Sequence, residues 1–197
     1  TLYTHANFLK VGNTLAALQQ LTTCHRKAFD IPIVGITGSN GKTMVKEWLS
    51  QLLAYDKNVT RSPKSYNSQI GVPLSVWLLN ESSQIGLIEA GISKVGEMQA
   101  LHDIILPTVG VLTSLGSAHQ ENFSSLEEKC NEKLLLFKGT QALVYQLDDK
   151  IAAKCITAAH YDGQLLAWSE HDTTAAFYVN SIEKHETTST INYIWQQ

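Results

Sequence analysis

Cysteine is scarce in this chain and badly spaced for bonding. Cys24, Cys130 and Cys155 stand far apart with no C-x-x-C among them, which argues against both a disulfide framework and a zinc site and favours a reducing, cytoplasmic setting. Long apolar runs are missing as well. Nowhere do 18 apolar residues follow one another, and the first residues hold no basic stretch leading into an apolar one, so neither membrane insertion nor secretion is expected. Positive charge is not in excess either: 15 Lys and Arg against 18 Asp and Glu give a net charge of −3. Such a balance provides no field for holding a nucleic-acid backbone, and any anion site has to be local. What the chain does have is 197 residues, 44% of them hydrophobic and 17% charged, enough for one substantial core.

The pattern along that length is an alternation. Leu15, Leu18 and Leu21 recur at helical spacing within residues 13–29, which end in His25-Arg26-Lys27 before Phe29 and Pro32 break the pattern. Residues 31–37 form a short β-branched run that reads as a strand buried on both faces. A helix is predicted next, with Val45, Trp48, Leu49, Leu52 and Leu53 as its apolar face and Lys46, Glu47 and Gln51 left to water. Then come a strand near Val59, a polar loop to Gly71, a helix opened by Pro73, a strand over 85–89, a helix over 96–105 with His102 on its surface, and a strand over 109–115. Ser125-Leu126-Glu127-Glu128 has the form of a capping box opening a helix to Lys138, and residues 141–145 and 148–160 supply one more strand and helix. This βα alternation predicts a mostly parallel sheet flanked by helices, an α/β fold. The C-terminal text differs: Ala176, Tyr178, Asn180, Ile182 and Thr188, Thr190, Asn192, Ile194 alternate with period two, the pattern of an antiparallel hairpin.

The chemistry concentrates in Thr37-Gly38-Ser39-Asn40-Gly41-Lys42-Thr43, between a buried strand and an amphipathic helix, the context a phosphate-binding P-loop requires. Gly38 and Gly41 free the backbone to turn N–H groups toward phosphate oxygens, and the following helix adds the positive end of its dipole. Lys42 is placed to bridge the outer phosphates and Thr43 to offer a hydroxyl to Mg²⁺. The motif G-x-x-x-x-G-K-[ST] is not met strictly, since Ile36 stands where its first glycine belongs. Neither D-x-x-G nor N-K-x-D occurs anywhere, which disfavours a switch GTPase.

Residues 35–43, Gly-Ile-Thr-Gly-Ser-Asn-Gly-Lys-Thr, resemble the ATP loop of the Mur ligases, including the departure at Ile36. Further segments agree in order and spacing with the member of that family that adds D-alanyl-D-alanine: Asn67-Ser68-Gln69-Ile70-Gly71-Val72-Pro73, then Glu89-Ala90-Gly91 followed by Gly96-Glu97, then His119, Phe123, Lys133 and Phe137. The likeness runs over about residues 12–150. It implies ATP and two Mg²⁺ ions as cofactors, with Thr37, Gly38, Ser39, Asn40, Gly41, Lys42, Thr43 and Asn67 around the nucleotide. Thr43, Glu89, His119 and Lys133 are implied at the metals, and Lys42, His119 and Lys133 in catalysis. For Glu89 there is also a positional reason, since strand C-termini in a parallel sheet face the ligand crevice. Lys133 is implied to be carbamylated: a neutral amine, favoured by burial and nearby cations, adds CO₂ and becomes an anion able to bind Mg²⁺.

The implied reaction phosphorylates the terminal carboxylate of UDP-N-acetylmuramoyl-tripeptide. The amine of D-Ala-D-Ala then attacks the acyl phosphate, a peptidoglycan-building step that needs cations more than acid–base groups. Two departures stand out: Ser68 replaces a frequent second asparagine, and Gln146-Leu147-Asp148-Asp149 replaces N-x-D-D. The resemblance assigns residues 1–29 to the tail of an N-terminal UDP-sugar-binding domain with its linker helix and 30–197 to a truncated central ATP-binding domain. A C-terminal domain is then missing, so the piece by itself is expected to be inactive. Some relatives carry a fused alanine racemase. Two other readings stay open. A ligase like folylpolyglutamate synthase shares the loop, although Ile92-Ser93-Lys94-Val95 stands where that enzyme is glycine-rich. A nucleotide-sensing regulatory module is the other, but it has little need of Glu89, His119 and Lys133.

Overall fold

The computed structural model describes residues 7–116 and 120–196. Its elements run α1 Thr14–Arg26, β1 Ile33–Thr37, α2 Lys42–Leu53, β2 Val59–Arg61, α3 Gly71–Val76, β3 Ile85–Glu89, α4 Met98–Ile105, β4 Val109–Leu112, α5 Leu126–Leu134, β5 Ala142–Gln146, α6 Lys150–Ala158, β6 Gln164–Ser169, β7 Phe177–Lys184 and β8 Ser189–Trp195. All eight strands join one sheet in the order β2-β3-β1-β4-β5-β6-β7-β8, parallel from β2 to β7, with β8 antiparallel to β7. The expected α/β architecture with a C-terminal antiparallel hairpin is therefore present. Chain direction across the sheet reverses beside β1, which lies between β3 and β4. Loops diverge at the carboxyl ends of these strands and leave a crevice between them.

Burial divides unevenly between the two faces. One face packs Ile33, Ile88 and Leu143 against Val76 of α3, Leu101 and Ile105 of α4, Phe137, and Ile156 of α6. On the other, Val34, Ile36 and Leu87 meet Val45, Leu49 and Leu53 of α2. Helix α1 caps the first layer through polar contacts. Buried Arg26 donates to the carbonyls of Ile105, Phe29 and Leu106 at 2.8, 2.6 and 3.0 Å, and the His25 ring stacks on Trp77 at 4.5 Å.

Several expectations need correcting. In α2, Trp48 and Leu52 are exposed at 59% and 73%, whereas Lys46, expected in water, is fully buried. Val45, Leu49 and Leu53 do face the sheet as expected, but the inward face is rotated to take in Lys46, whose oxygen partners lie on other segments, and to leave Trp48 and Leu52 outside. His102 is half-buried rather than on the surface, its Nδ1 3.0 Å from the carbonyl oxygen of Leu136. Strand β4 ends at Leu112, earlier than 115, because the next residues leave the sheet to bond the loop after β1. The capping box is half formed: Ser125 Oγ accepts from Glu128 N at 3.0 Å, but the Glu128 carboxylate takes the N–H of Ser124 instead. Strand β6 was not foreseen, since Gln-Leu-Leu-Ala-Trp-Ser neither alternates nor is β-branched. Only Trp168↔Phe177 and Ser169↔Tyr178 pair β6 with β7. β7 thus starts where β6 stops, and a short sideways jog replaces the helical crossover that fully overlapping parallel strands need.

Candidate phosphate and metal site

The loop between β1 and α2 is held from below and from the side. Thr37 Oγ1 donates to the carbonyl of Ala90 at 2.8 Å, anchoring the end of β1 to the end of β3. Ser39 N donates to Ser114 O at 2.6 Å and Thr113 Oγ1 to Asn40 O at 2.6 Å, which is where residues 113–116 go on leaving β4. Gly38, at φ 150°, lies so close to Thr113 that a Cβ would fall 1.9 Å from its Oγ1. Gly41, at φ 84°, is the N-cap of α2 and offers no side-chain cap, so the first-turn N–H groups of this 12-residue helix are left for an anion.

A carboxylate faces the loop. Thr43 Oγ1 donates to Glu89 Oε2 at 3.2 Å, joining the first turn of α2 to the last residue of β3. Glu89 is fully buried, and its Oε1 accepts no hydrogen bond but lies 3.3 Å from Lys46 Nζ. A buried carboxylate oxygen with unused lone pairs beside a hydroxyl fits a hydrated Mg²⁺. That ion takes one or two protein ligands and draws the rest from water and phosphate. Among the described residues no three His, Cys, Asp or Glu gather as a protein-only metal cage.

Cations ring the same loop. Lys42 Nζ donates to Gly38 O at 2.9 Å and Ser39 O at 3.3 Å, and Lys133 Nζ, reaching from α5, donates to the same Gly38 O at 3.1 Å. Lys129, one turn earlier on α5, donates to Gly116 O at 2.5 Å. Burial first, then the charges of Lys42 and Lys129, push the Lys133 amine down to about 7. Lys42 is lowered as well, by burial against the opposing pull of Glu89. Asn67 accepts from Gly91 N through its carbonyl at 2.8 Å, and with Lys42, Lys133, Gln69 and Ser93 it borders a cleft of 420 Å³ beside the loop. Thr37, Gly38, Ser39, Asn40, Gly41, Lys42, Thr43, Asn67, Glu89 and Lys133 thus come together at one end of the sheet. His119 lies outside the described residues.

Three side chains at this site escaped the sequence reading. Lys46 and Lys129 each lie four residues from a lysine already singled out, Lys42 and Lys133. That spacing puts them on the same helix face and was the available signal. Glu132 is the third: its Oε1 accepts from Gly96 N at 2.9 Å and Met98 N at 3.0 Å, capping α4 from α5. No local pattern announces a cap supplied across such a distance in sequence.

Residues 36–197 match the family model described as the Mur ligase middle domain. The chain belongs to that family. Among its relatives as a Mur ligase middle domain is the UDP-N-acetylmuramoyl-tripeptide–D-alanyl-D-alanine ligase of Bacillus subtilis, 32% identical over 190 residues, which cover 91% of this chain and 41% of that protein. The MurF ligase from Thermotoga maritima, solved in complex with ADP, superposes with a TM-score of 0.84 at 26% identity, covering 97% of this chain and 44% of that one. MurF from Acinetobacter baumannii has the same fold, with a TM-score of 0.86 at 24% identity over 95% of this chain and 41% of its own. The chain therefore spans about two fifths of the length of these proteins.

Proposed function

We propose that this chain is the ATP-handling part of a ligase that joins D-Ala-D-Ala to UDP-N-acetylmuramoyl-tripeptide. In that reading residues 1–29 are the tail of a sugar-nucleotide domain and 30–197 the central domain. The observation that carries the reading is the convergence of Lys42 and Lys133 on the Gly38 carbonyl opposite the Thr43–Glu89 pair. Three functions follow from it. The loop N–H groups and the start of α2 take the phosphate oxygens, Lys42 moves from loop carbonyls to the outer phosphates, and Lys133 faces the transferred group from the other side. Glu89 and Thr43 would hold one Mg²⁺, with His119 and a carbamylated Lys133 at a second. Such an ion supplies charge neutralisation for an in-line phosphoryl transfer. The lowered proton affinity of Lys133 supports the carbamate, because only a neutral amine adds CO₂. The cleft bordered by Asn67, Gln69 and Ser93 lies next to Lys42 and gives the acceptor carboxylate a way in.

The test is Mg²⁺-dependent phosphate release from ATP by the full-length protein, supplied with UDP-N-acetylmuramoyl-tripeptide and D-Ala-D-Ala together and singly. Release that needs both substrates supports the ligase. Release with a folate and glutamate supports the folylpolyglutamate-type reading, and nucleotide binding without turnover under any of these conditions supports a sensor module.

A further inference from the structure

Lys46 has no part in the phosphate loop, yet its ammonium lies fully buried beside it. The side chain is fully buried on α2, one turn beyond Lys42. Its Nζ lies 3.3 Å from Glu89 Oε1 and 3.1 Å from Glu47 Oε1, donates to Ser62 O at 2.7 Å, and donates also to Lys64 O. The three protons of the ammonium thus face carbonyls on one side and two carboxylates on the other, Glu89 Oε1 being held by charge alone. Glu47 passes the chain on to the surface, its Oε2 accepting from Arg61 Nε at 3.0 Å. On the inner side Glu89 ends the series at the Thr43 hydroxyl. A buried lysine with one partner removed is costly, and here every partner is provided. Ser62 also ties both halves together, since its carbonyl accepts from Lys46 while its Oγ accepts from Glu89 N at 3.1 Å.

We propose that Lys46 is a positioning residue and the resident counter-ion of Glu89, so that Glu89 takes a divalent cation only when nucleotide phosphates arrive with it. The inference rests on the reading of Glu89 and Thr43 as a metal site. A lone buried carboxylate attracts a free divalent ion, whereas one already paired with an ammonium at 3.3 Å presents almost no net charge, and the ammonium repels the incoming ion. Phosphates restore the missing negative charge. The orphaned Oε1 fits this role, as it is oriented by charge at Lys46 rather than committed to a hydrogen bond.

The experiment is a Mn²⁺ titration of the full chain followed by electron paramagnetic resonance, with and without ADP, on the parent, Lys46→Met, Lys46→Gln and Lys46→Arg. The parent and Lys46→Arg are expected to hold Mn²⁺ tightly only with ADP. Lys46→Met and Lys46→Gln are expected to gain about tenfold or more in affinity for Mn²⁺ alone, a change that loss of a merely structural contact does not produce. Equal Mn²⁺ affinity without ADP in the parent and the two neutral variants overturns the inference while leaving the metal site intact. A parent that retains no Mn²⁺ even with ADP removes the metal-site reading and the inference with it. Should both neutral variants fail to fold, the parent decides alone: equally tight Mn²⁺ with and without ADP overturns the proposal, and tight binding only with ADP upholds it.

Discussion

Lys42 and Lys133, from different helices, donate to the same atom, the carbonyl oxygen of Gly38, at 2.9 and 3.1 Å. The charges of Lys42 and Lys129 disfavour a proton on Lys133, so the second donor to this carbonyl is readily a neutral amine.

That pairing predicts a pH dependence for Lys133. Its amine titrates near 7 in the folded chain, far below the ordinary lysine value of 10.5. The unfolded chain therefore binds more protons between those two values, and stability contributed at this position rises with pH across that window. Below 7 both states are protonated and the cost of burying the ammonium is fully present. Melting temperatures of the parent and Lys133→Met from pH 6 to 10 should show the parent gaining on the variant as pH rises; a constant difference would refute the shift. The same neutral amine should give a carbamate resonance with ¹³C-bicarbonate, absent in Lys133→Met.

Lys42→Ala should lower ligation by the full-length protein on the order of 10²–10³, as for other lost electrostatic donors at transition states. Folding should be little changed, since its present partners, Gly38 O and Ser39 O, are carbonyls of the neighbouring loop, and Gly38 O keeps Lys133 as a donor. Comparing phosphate release with the thermal melt separates the two, and near-normal turnover would remove Lys42 from the mechanism.

At Gly38 the obstacle is space. A Cβ would sit 1.9 Å from Thr113 Oγ1 and 3.0 Å from Ser114 N, at a φ of 150° that side chains rarely adopt. Gly38→Ala should therefore cost about 1–3 kcal/mol and displace residues 113–114. Denaturant unfolding measures the first and nucleotide affinity the second, with both expected to fall.

Arg26 gives a prediction remote from the chemistry. Arg26→Met removes the guanidinium from the carbonyls of Ile105, Phe29 and Leu106 and leaves buried acceptors without it. The cost should be roughly 3 kcal/mol, or about 6–12 °C in melting temperature for a domain of this size. Proteolysis should then release the segment carrying α1 first. An unchanged melt would mean that water replaces the guanidinium.

Much of this molecule was legible in its sequence because the information was local. The β-branched run before Gly38, the loop glycines and Lys42-Thr43 all lie within residues 31–43, and the structure puts them in the order and context expected, β1, loop and α2. The strand Ile85–Glu89 was read to its last residue. Period-two alternation likewise located the hairpin of β7 and β8.

Sequence alone determined the class of fold and the phosphate loop with Lys42 and Thr43, because strand and helix periods and a glycine-rich turn are properties of neighbouring residues, whereas Lys133 was singled out only by the family resemblance. Only tertiary structure decided that the inward face of α2, besides Val45, Leu49 and Leu53, takes in Lys46 and leaves Trp48 and Leu52 outside. The reason is that Glu89, Ser62 and Lys64, contributed by other segments, surround that ammonium with oxygen. A buried charge is settled by partners that no window along the chain contains.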